Sequence, residues 1–266
     1  MTLKYGLLGH PLGHSFSKKF HNERFERLGI DAEYLNFDLE SVDLLPTILQ
    51  QEVSLKGLNV TIPYKQQVMK FLDELDPVAE RIGAVNTIKI MKAPEGVETK
   101  LPGLYLKGFN TDIIGFRDSI TPLLSEAGIL PSEANKSLSP KALILGTGGA
   151  SKAIYVALED MGIKPVYVSR TAAPGKLTYN DLTEEVMKEY LVVVNCSPVG
   201  MYPHVDECPS ILYEALTPHH VCYDLIYNPE ITQFISKAKV QGAKVMSGGA
   251  MLEGQAVASY NIWISE

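Results

Sequence analysis

The chain has 266 residues, 45% hydrophobic and 21% charged, enough to bury one large core or two ordinary ones and too apolar for a disordered protein. Its 24 basic and 31 acidic residues leave a formal charge of −7, without the basic footprint of a general nucleic-acid binder, although a local basic pocket for a phosphate stays compatible. No apolar run approaches the roughly 20 residues of a membrane span, the first six residues lack a signal-peptide pattern, and Cys196, Cys208 and Cys222 fit no zinc spacing, so a cytoplasmic protein with reduced thiols is expected.

In chain order, residues 3–9 read as a strand and 17–28 as a helix closed by Gly29. Residues 33–39 form a second strand around Tyr34, Phe37 and Leu39, 42–49 look helical, 56–62 are a strand, 64–72 a helix and 84–91 a strand. This βαβ rhythm predicts a largely parallel sheet covered by helices. Residues 92–107, with Pro94, Gly96, Pro102 and Gly103, predict a long loop or irregular hairpin. After Asp112, residues Phe116, Ile120, Leu123, Leu124 and Ala127 form a helical stripe, which Pro122 should kink or shorten. Residues 130–140, rich in Ser and Pro, read as a loop. A second α/β unit follows, with strands at 142–145, 166–168, 191–195, 221–225 and 244–246. The last segment, 250–265, has helix composition and no strand left to serve, so it is free to pack back onto the first unit.

Gly146-Thr147-Gly148-Gly149-Ala150-Ser151 follows the apolar run Ala142-Leu143-Ile144-Leu145. A strand that ends in a glycine-rich turn and opens a helix can cradle a dinucleotide pyrophosphate, whose charge sits well at a helix N-terminus. With Ser151 at the third small position the string is not a strict GxGxxG, and a glycine turn kept for packing is the plain alternative. After the next strand comes Val168-Ser169-Arg170-Thr171, with no acidic residue for a ribose 2′-hydroxyl. An arginine there can pair with a 2′-phosphate, with Ser169 and Thr171 as hydroxyl donors, which favours NADP over NAD; otherwise Arg170 is a surface residue at a turn.

Lys65 follows Pro63, a residue suited to a first helical turn. The positive end of the helix dipole favours a neutral amine, and a carboxylate such as Asp112 favours the ammonium, a balance suited to moving a proton. A solvated lysine on an amphipathic helix is the alternative. Ser15 and Ser17 offer two hydroxyls near a helix start; they could hold a carboxylate, but spacing alone favours Ser17 as a helix cap. Asn59, Asn86 and Asn110 lie at predicted strand ends, where they suit a polyol or merely a turn. His219 and His220 read as surface loop residues, and His10, His14 and His21 lie at no metal spacing. No string supports a hydrolase.

Together these strings resemble the shikimate dehydrogenase family over nearly the whole chain: His14-Ser15-Phe16-Ser17, Asn59-Val60-Thr61-Ile62-Pro63-Tyr64-Lys65, Gly83-Ala84-Val85-Asn86-Thr87, Gly108-Phe109-Asn110-Thr111-Asp112, the glycine loop, Asn195-Cys196-Ser197-Pro198-Val199-Gly200-Met201 and Gly249-Ala250-Met251-Leu252-Glu253-Gly254-Gln255-Ala256. The resemblance implies NADP-linked reversible reduction of 3-dehydroshikimate to shikimate in aromatic amino-acid biosynthesis. It implies an α/β fold of two domains, a substrate domain at 1–112 plus 249–266 and a Rossmann-like NADP domain at 113–248, with the active site in the cleft between them. Lys65 and Asp112 would be the catalytic pair. Ser15 and Ser17, with Tyr227 nearby, would bind the substrate carboxylate, and Thr61, Asn86, Asp112 and Gln255 the ring hydroxyls. Gly146, Thr147, Gly148, Gly149 and Ala150 would bind pyrophosphate, Ser169, Arg170 and Thr171 the 2′-phosphate, and Leu225, Gly248 and Met251 would line the nicotinamide site.

The family often carries Asn at the position of Ser169 and a second arginine soon after the first, where this chain has Ala172-Ala173-Pro174, with Lys176 the nearest substitute. The expected partner is a small-molecule substrate, with no nucleic acid, membrane or metal, in a monomer or homodimer. Two readings compete: a quinate/shikimate dehydrogenase that accepts NAD, and a nucleotide-binding regulator without chemistry, against which the retained Lys65 and Asp112 speak.

Overall fold

The first strand, β1 (Leu3–Gly9), buries five consecutive residues, the mark of a strand covered on both faces. The structure, a computed structural model, describes residues 2–13, 15–130 and 139–265. His14 and most of the loop read at 130–140 therefore lie outside the described residues.

Helix α1 (Phe16–Leu28) starts one residue earlier than its pattern predicts, because Ser15 and not Ser17 is its cap: the Ser15 hydroxyl accepts from the Lys18 N–H at 3.1 Å. Gly29 closes the helix at φ 64°, the left-handed geometry expected of it. After β2 (Ala32–Asp38) the predicted helix at 42–49 divides into a 3-10 turn, Val42–Leu44, and α2 (Leu45–Gln51). Strand β3 (Leu55–Val60) ends two residues short of its predicted limit.

The helix expected at 64–72 is only a 3-10 turn, Gln67–Phe71. Lys65 precedes it in a turn, and its carbonyl accepts from the Val85 N–H at 2.7 Å instead of from a helical successor. The helix-dipole argument for Lys65 therefore falls away. The short β4 (Glu74–Leu75) and α3 (Pro77–Ile82), absent from the sequence reading, come next. Strand β5 (Thr87–Lys92) begins three residues later than expected, and residues 92–107 resolve into a hairpin whose second arm is β6 (Leu104–Phe109).

The first sheet has the order β2-β1-β3-β5-β6-β4. It is mixed: β1 pairs in parallel with β2 and β3, and β4 with β6, but β5 runs antiparallel to both β3 and β6. The connection from β5 to β6 holds no helix to cross the sheet and closes as a hairpin, so the largely parallel expectation fails at this point.

Helix α4 (Asp112–Glu126) continues through Pro122, contrary to the predicted shortening. Pro122 is exposed, and so is Asp118 four residues earlier, so the carbonyl that loses a helical N–H partner faces water. The stripe behaves as expected at Phe116, Ile120 and Leu124, which are fully buried. Then follow β7 (Lys141–Leu145), α5 (Gly149–Asp160), β8 (Lys164–Ser169), β9 (Lys176–Thr178), α6 (Glu184–Glu189), β10 (Val192–Asn195), β11 (Val221–Asp224), α7 (Gln233–Val240), β12 (Lys244–Met246) and α8 (Gly249–Ile264). Their sheet, β12-β11-β10-β7-β8-β9, is parallel throughout, and β9 is its one strand that the sequence reading missed.

The chain divides into one unit of residues 1–111 and 256–266 and another of 112–255. In the first, Leu58, Val60, Ile88 and Leu106 centre one core, while Tyr5, Phe25, Tyr34, Tyr260 and Trp263 build an aromatic cluster. Gly57 on β3 faces the Trp263 indole so closely that any Cβ would overlap it, and the indole N–H donates to the Ile88 carbonyl at 3.0 Å. In the second unit Leu143, Leu145, Val168, Val193, Cys222 and Phe234 are central. His220, read as a surface residue, is buried at 1% exposure: its Nδ1 accepts from the Thr217 N–H, its Nε2 lies 2.8 Å from the Met187 carbonyl, and only His219 is exposed. Among the described residues no helix is long and apolar enough to cross a membrane.

Candidate active site

In the first unit the ends of β3, β5 and β6 deliver a buried polar cluster. The Asn59 amide donates to the Ser259 hydroxyl at 2.8 Å and lies 3.3 Å from both the Thr87 hydroxyl and the Asn86 carbonyl, while its oxygen accepts from the Tyr34 phenol at 2.8 Å. Asn86 Oδ1 accepts from the Thr111 N–H at 2.7 Å and from the Thr87 hydroxyl at 2.9 Å. Ser259 on α8 completes the ring, 2.8 Å from Thr87 and 3.0 Å from Thr111. These donors fix the orientation of the Asn86 side-chain amide. Asn110, just beyond β6, donates to the Ala84 carbonyl at 2.9 Å and pins the loop that carries Asn86.

Thr61, half-buried, is fixed through its N–H to the Leu8 carbonyl at 2.9 Å, and Lys65 stands half-buried four residues on. Ser15 is half-buried and Ser17 buried, its hydroxyl opposing the strong upward push that burial gives the Tyr34 phenol. His21 is wholly buried, stacked on Tyr34 at 4.5 Å, with neither ring nitrogen hydrogen-bonded among the described residues; burial first, and the Arg24 charge second, lower its pKa to about 3. Sequence spacing names Asn59 and Asn86 only as strand-end asparagines and gives no sign of Thr87, Thr111, Ser259 or Tyr34. Their meeting depends on a contact between positions more than 140 residues apart along the chain.

In the second unit α4 and α8 cross on glycine. A Cβ on Gly115 would overlap the Met251 carbonyl, and Gly254 meets Gly115 in return. The crossing sets Gln255, whose Nε2 donates to the Leu252 carbonyl, one turn from Asp112 at the start of α4; the two are buried at 8% and 7% exposure. Tyr227 is 46% exposed.

The glycine loop between β7 and α5 has the features an anion needs. Gly146 adopts φ 107°, a conformation closed to other residues, and a Cβ on Gly148 or Gly149 would meet only open space. Among the described residues no side chain caps α5; the Ser151 N–H donates to the Gly148 carbonyl at 3.1 Å, and the Gly149 and Ala150 N–H groups ahead of it stand at the helix N-terminus where an anion is favoured. Ser151 is turned inward, donating to the Gly148 carbonyl at 2.6 Å, which explains a small residue there in place of a third glycine. At the end of β8 the Ser169 hydroxyl accepts from the Thr171 N–H at 3.2 Å, and Arg170 and Thr171 are exposed. Lys176 lies over the Tyr167 ring at 5.8 Å. Leu225 and Gly248 meet at the far side of this sheet: the Leu225 N–H donates to the Asn195 carbonyl, the Gly248 N–H to the Ile226 carbonyl, and a Cβ on Gly248 would overlap the Leu225 carbonyl, while Met251 lies buried in the first turn of α8. Among the described residues no group of three or more His, Cys, Asp or Glu side chains could hold a metal ion.

The family model described as the shikimate dehydrogenase substrate binding domain matches residues 7–88. A relative from Desulforamulus reducens named shikimate dehydrogenase (NADP(+)) is 36% identical, over 97% of this chain and 88% of its own. The structure of the shikimate dehydrogenase of Thermus thermophilus with NADP(H) and shikimate is similar at a TM-score of 0.78 and 31% identity, covering 98% of this chain and 93% of that one. Quinate dehydrogenase from Corynebacterium glutamicum with NAD is similar at a TM-score of 0.81 and 25% identity, over 99% and 94% of the two chains.

Proposed function

The chain belongs to the shikimate dehydrogenase family, and from that premise we propose how its residues divide the NADP-dependent, reversible reduction of 3-dehydroshikimate to shikimate. The observation that carries the assignment of an active site is the buried ring of Asn59, Asn86, Thr87, Thr111 and Ser259, in which at least two donors orient the Asn86 amide.

Ser15 and Ser17 donate their hydroxyls to the substrate carboxylate, with Tyr227 as an exposed third donor. Thr61, Asn86, Asp112 and Gln255 hold the ring hydroxyls. The glycine loop from Gly146 to Ala150 receives the pyrophosphate on uncapped N–H groups, and Ser169, Arg170 and Thr171 receive the 2′-phosphate. With Lys176 engaged over Tyr167, Arg170 is the principal cation for that phosphate. Leu225, Gly248 and Met251 border the nicotinamide, which when bound exchanges a hydride with the substrate's carbinol carbon.

Lys65 and Asp112 handle the proton. In the oxidative direction the Lys65 amine takes the proton of the reacting hydroxyl, with Asp112 as the carboxylate of the catalytic pair; in reduction the ammonium returns that proton to the carbonyl oxygen. The substrate domain is proposed at 1–112 plus 249–266 and the cofactor domain at 113–248, whereas the two units of the chain divide at 1–111 plus 256–266 and 112–255. We further propose a cytoplasmic enzyme, monomeric or homodimeric, with a small-molecule substrate and no nucleic-acid partner.

The test follows absorbance of the reduced nicotinamide while the protein oxidises shikimate with NADP⁺. Lys65→Ala should lower kcat by about 10²- to 10⁴-fold with shikimate binding nearly unchanged. Near-normal turnover in the variant refutes the role of Lys65, and better turnover with NAD⁺ and quinate than with NADP⁺ and shikimate refutes the substrate assignment.

A further inference from the structure

The second unit buries a carboxylate with no ion pair to a cation among the described residues. Asp224 ends β11 at 0% exposure, and its oxygens accept three hydrogen bonds: from the Asn195 amide at 3.0 Å, the Ile226 N–H at 3.0 Å and the Thr232 hydroxyl at 2.7 Å. Burial pushes its pKa up to about 6, and the three donors only partly oppose that push. A buried acid without a counter-charge is a poor device for stability, which directs attention to what its partners carry.

Each donor belongs to a different segment. Asn195 ends β10 and organises the next turn, its oxygen accepting from the Ser197 N–H and hydroxyl at 3.1 and 2.7 Å. Ile226 follows Leu225, and its carbonyl accepts from the Gly248 N–H at 3.0 Å. Thr232 is buried at the start of α7, where its oxygen also accepts from the Ile235 N–H at 3.2 Å. The Asn195 amide and the Ile226 N–H share one carboxylate oxygen and the Thr232 hydroxyl donates to the other, which in an asparagine would be NH2 and could no longer accept it.

We propose that Asp224 is a positioning residue for the nicotinamide end of the cofactor site, acting through Asn195, Ile226 and Thr232 to hold Leu225 and Gly248 in register. The inference rests on the reading above that Leu225, Gly248 and Met251 border the nicotinamide. Gly248 already sits against the Leu225 carbonyl with no room for a Cβ, so a small displacement of the 225–232 loop moves both.

Asp224→Asn keeps the shape and removes one acceptor. It should raise the KM for NADP⁺ and its directly measured Kd by about tenfold, the cost of one charge-assisted hydrogen bond, while the KM for shikimate stays within about twofold. Thr232→Val should reproduce the effect and Thr232→Ser, which keeps the hydroxyl, should restore wild-type values; this pair carries the test if the Asp224 variant does not fold. Unchanged NADP⁺ binding in both Asp224→Asn and Thr232→Val overturns the inference. So does a loss shared equally by both substrates, which marks a merely structural role. Gly248→Ala separates the premise: weakened NADP⁺ binding there, with Asp224→Asn normal, sinks the inference alone, whereas normal binding in Gly248→Ala sinks the nicotinamide assignment with it.

Discussion

Replacing His21 by phenylalanine should remove a large part of the acid lability of the first unit. His21 has no exposed surface, packs on Tyr34 at 4.5 Å, Phe20 at 5.4 Å and Trp263 at 5.6 Å, and leaves both ring nitrogens without a hydrogen bond among the described residues. Its pKa is lowered from the ordinary 6.5 to about 3, first by burial and then by Arg24. The folded state therefore binds fewer protons than the unfolded chain between those values. The neutral ring imposes no pH penalty above about pH 7, and stability falls as pH drops through 6.5. Integrated over the titration, the loss is about 2 kcal/mol between about pH 7.5 and pH 5, approaching roughly 5 kcal/mol by pH 3. The assay is urea unfolding followed by fluorescence of Trp263, the single tryptophan, which lies in the same aromatic cluster. The difference in unfolding free energy between wild type and His21→Phe should change by that ~2 kcal/mol across the pH window. At neutral pH the variant should equal or exceed the wild type, since two buried unpaired nitrogens disappear. A difference that stays constant with pH would refute the reasoning.

Gly57→Ala should destabilise the first unit by about 1–3 kcal/mol and red-shift Trp263 emission, because the added methyl occupies the place of the indole. Asp224 should give a pH dependence of the opposite sign from His21: its raised pKa means stability falls as pH rises, by about 1 kcal/mol from pH 5 to pH 7, and Asp224→Asn should abolish that slope in pH-dependent thermal unfolding. Arg170→Ala should raise the KM for NADP⁺ by at least about tenfold and leave that for NAD⁺ nearly unchanged, as measured in initial rates with saturating shikimate.

The local part of the site was legible because its chemistry is written in contiguous strings. The glycine turn after residues 142–145 predicts β7, the uncapped start of α5 and an open backbone in one stroke, since only glycine reaches the φ of Gly146. Helix α1 was displaced by a single residue, because Ser15 and Ser17 are equally good caps by composition and only the backbone decides which side chain meets the Lys18 N–H. Lys65 was misplaced for a related reason: Pro63 permits a helical turn, but the carbonyl of Lys65 is committed to Val85, a partner about 20 residues away.

Periodicity, turn residues and motif order thus determined the α/β class, the strands of the second unit other than β9 and the identity of the family. They act over a few residues, or through the order of strings along the chain, and both are fully present before folding. Only the tertiary structure decided the antiparallel β5, the burial of His220, the unpaired ring of His21 and the two polar clusters around Asn86 and Asp224. Each depends on which donors and acceptors distant segments bring to one buried point. A hydroxyl such as that of Ser259 looks the same in sequence whether it meets water or, as here, the amide of Asn59 200 residues away.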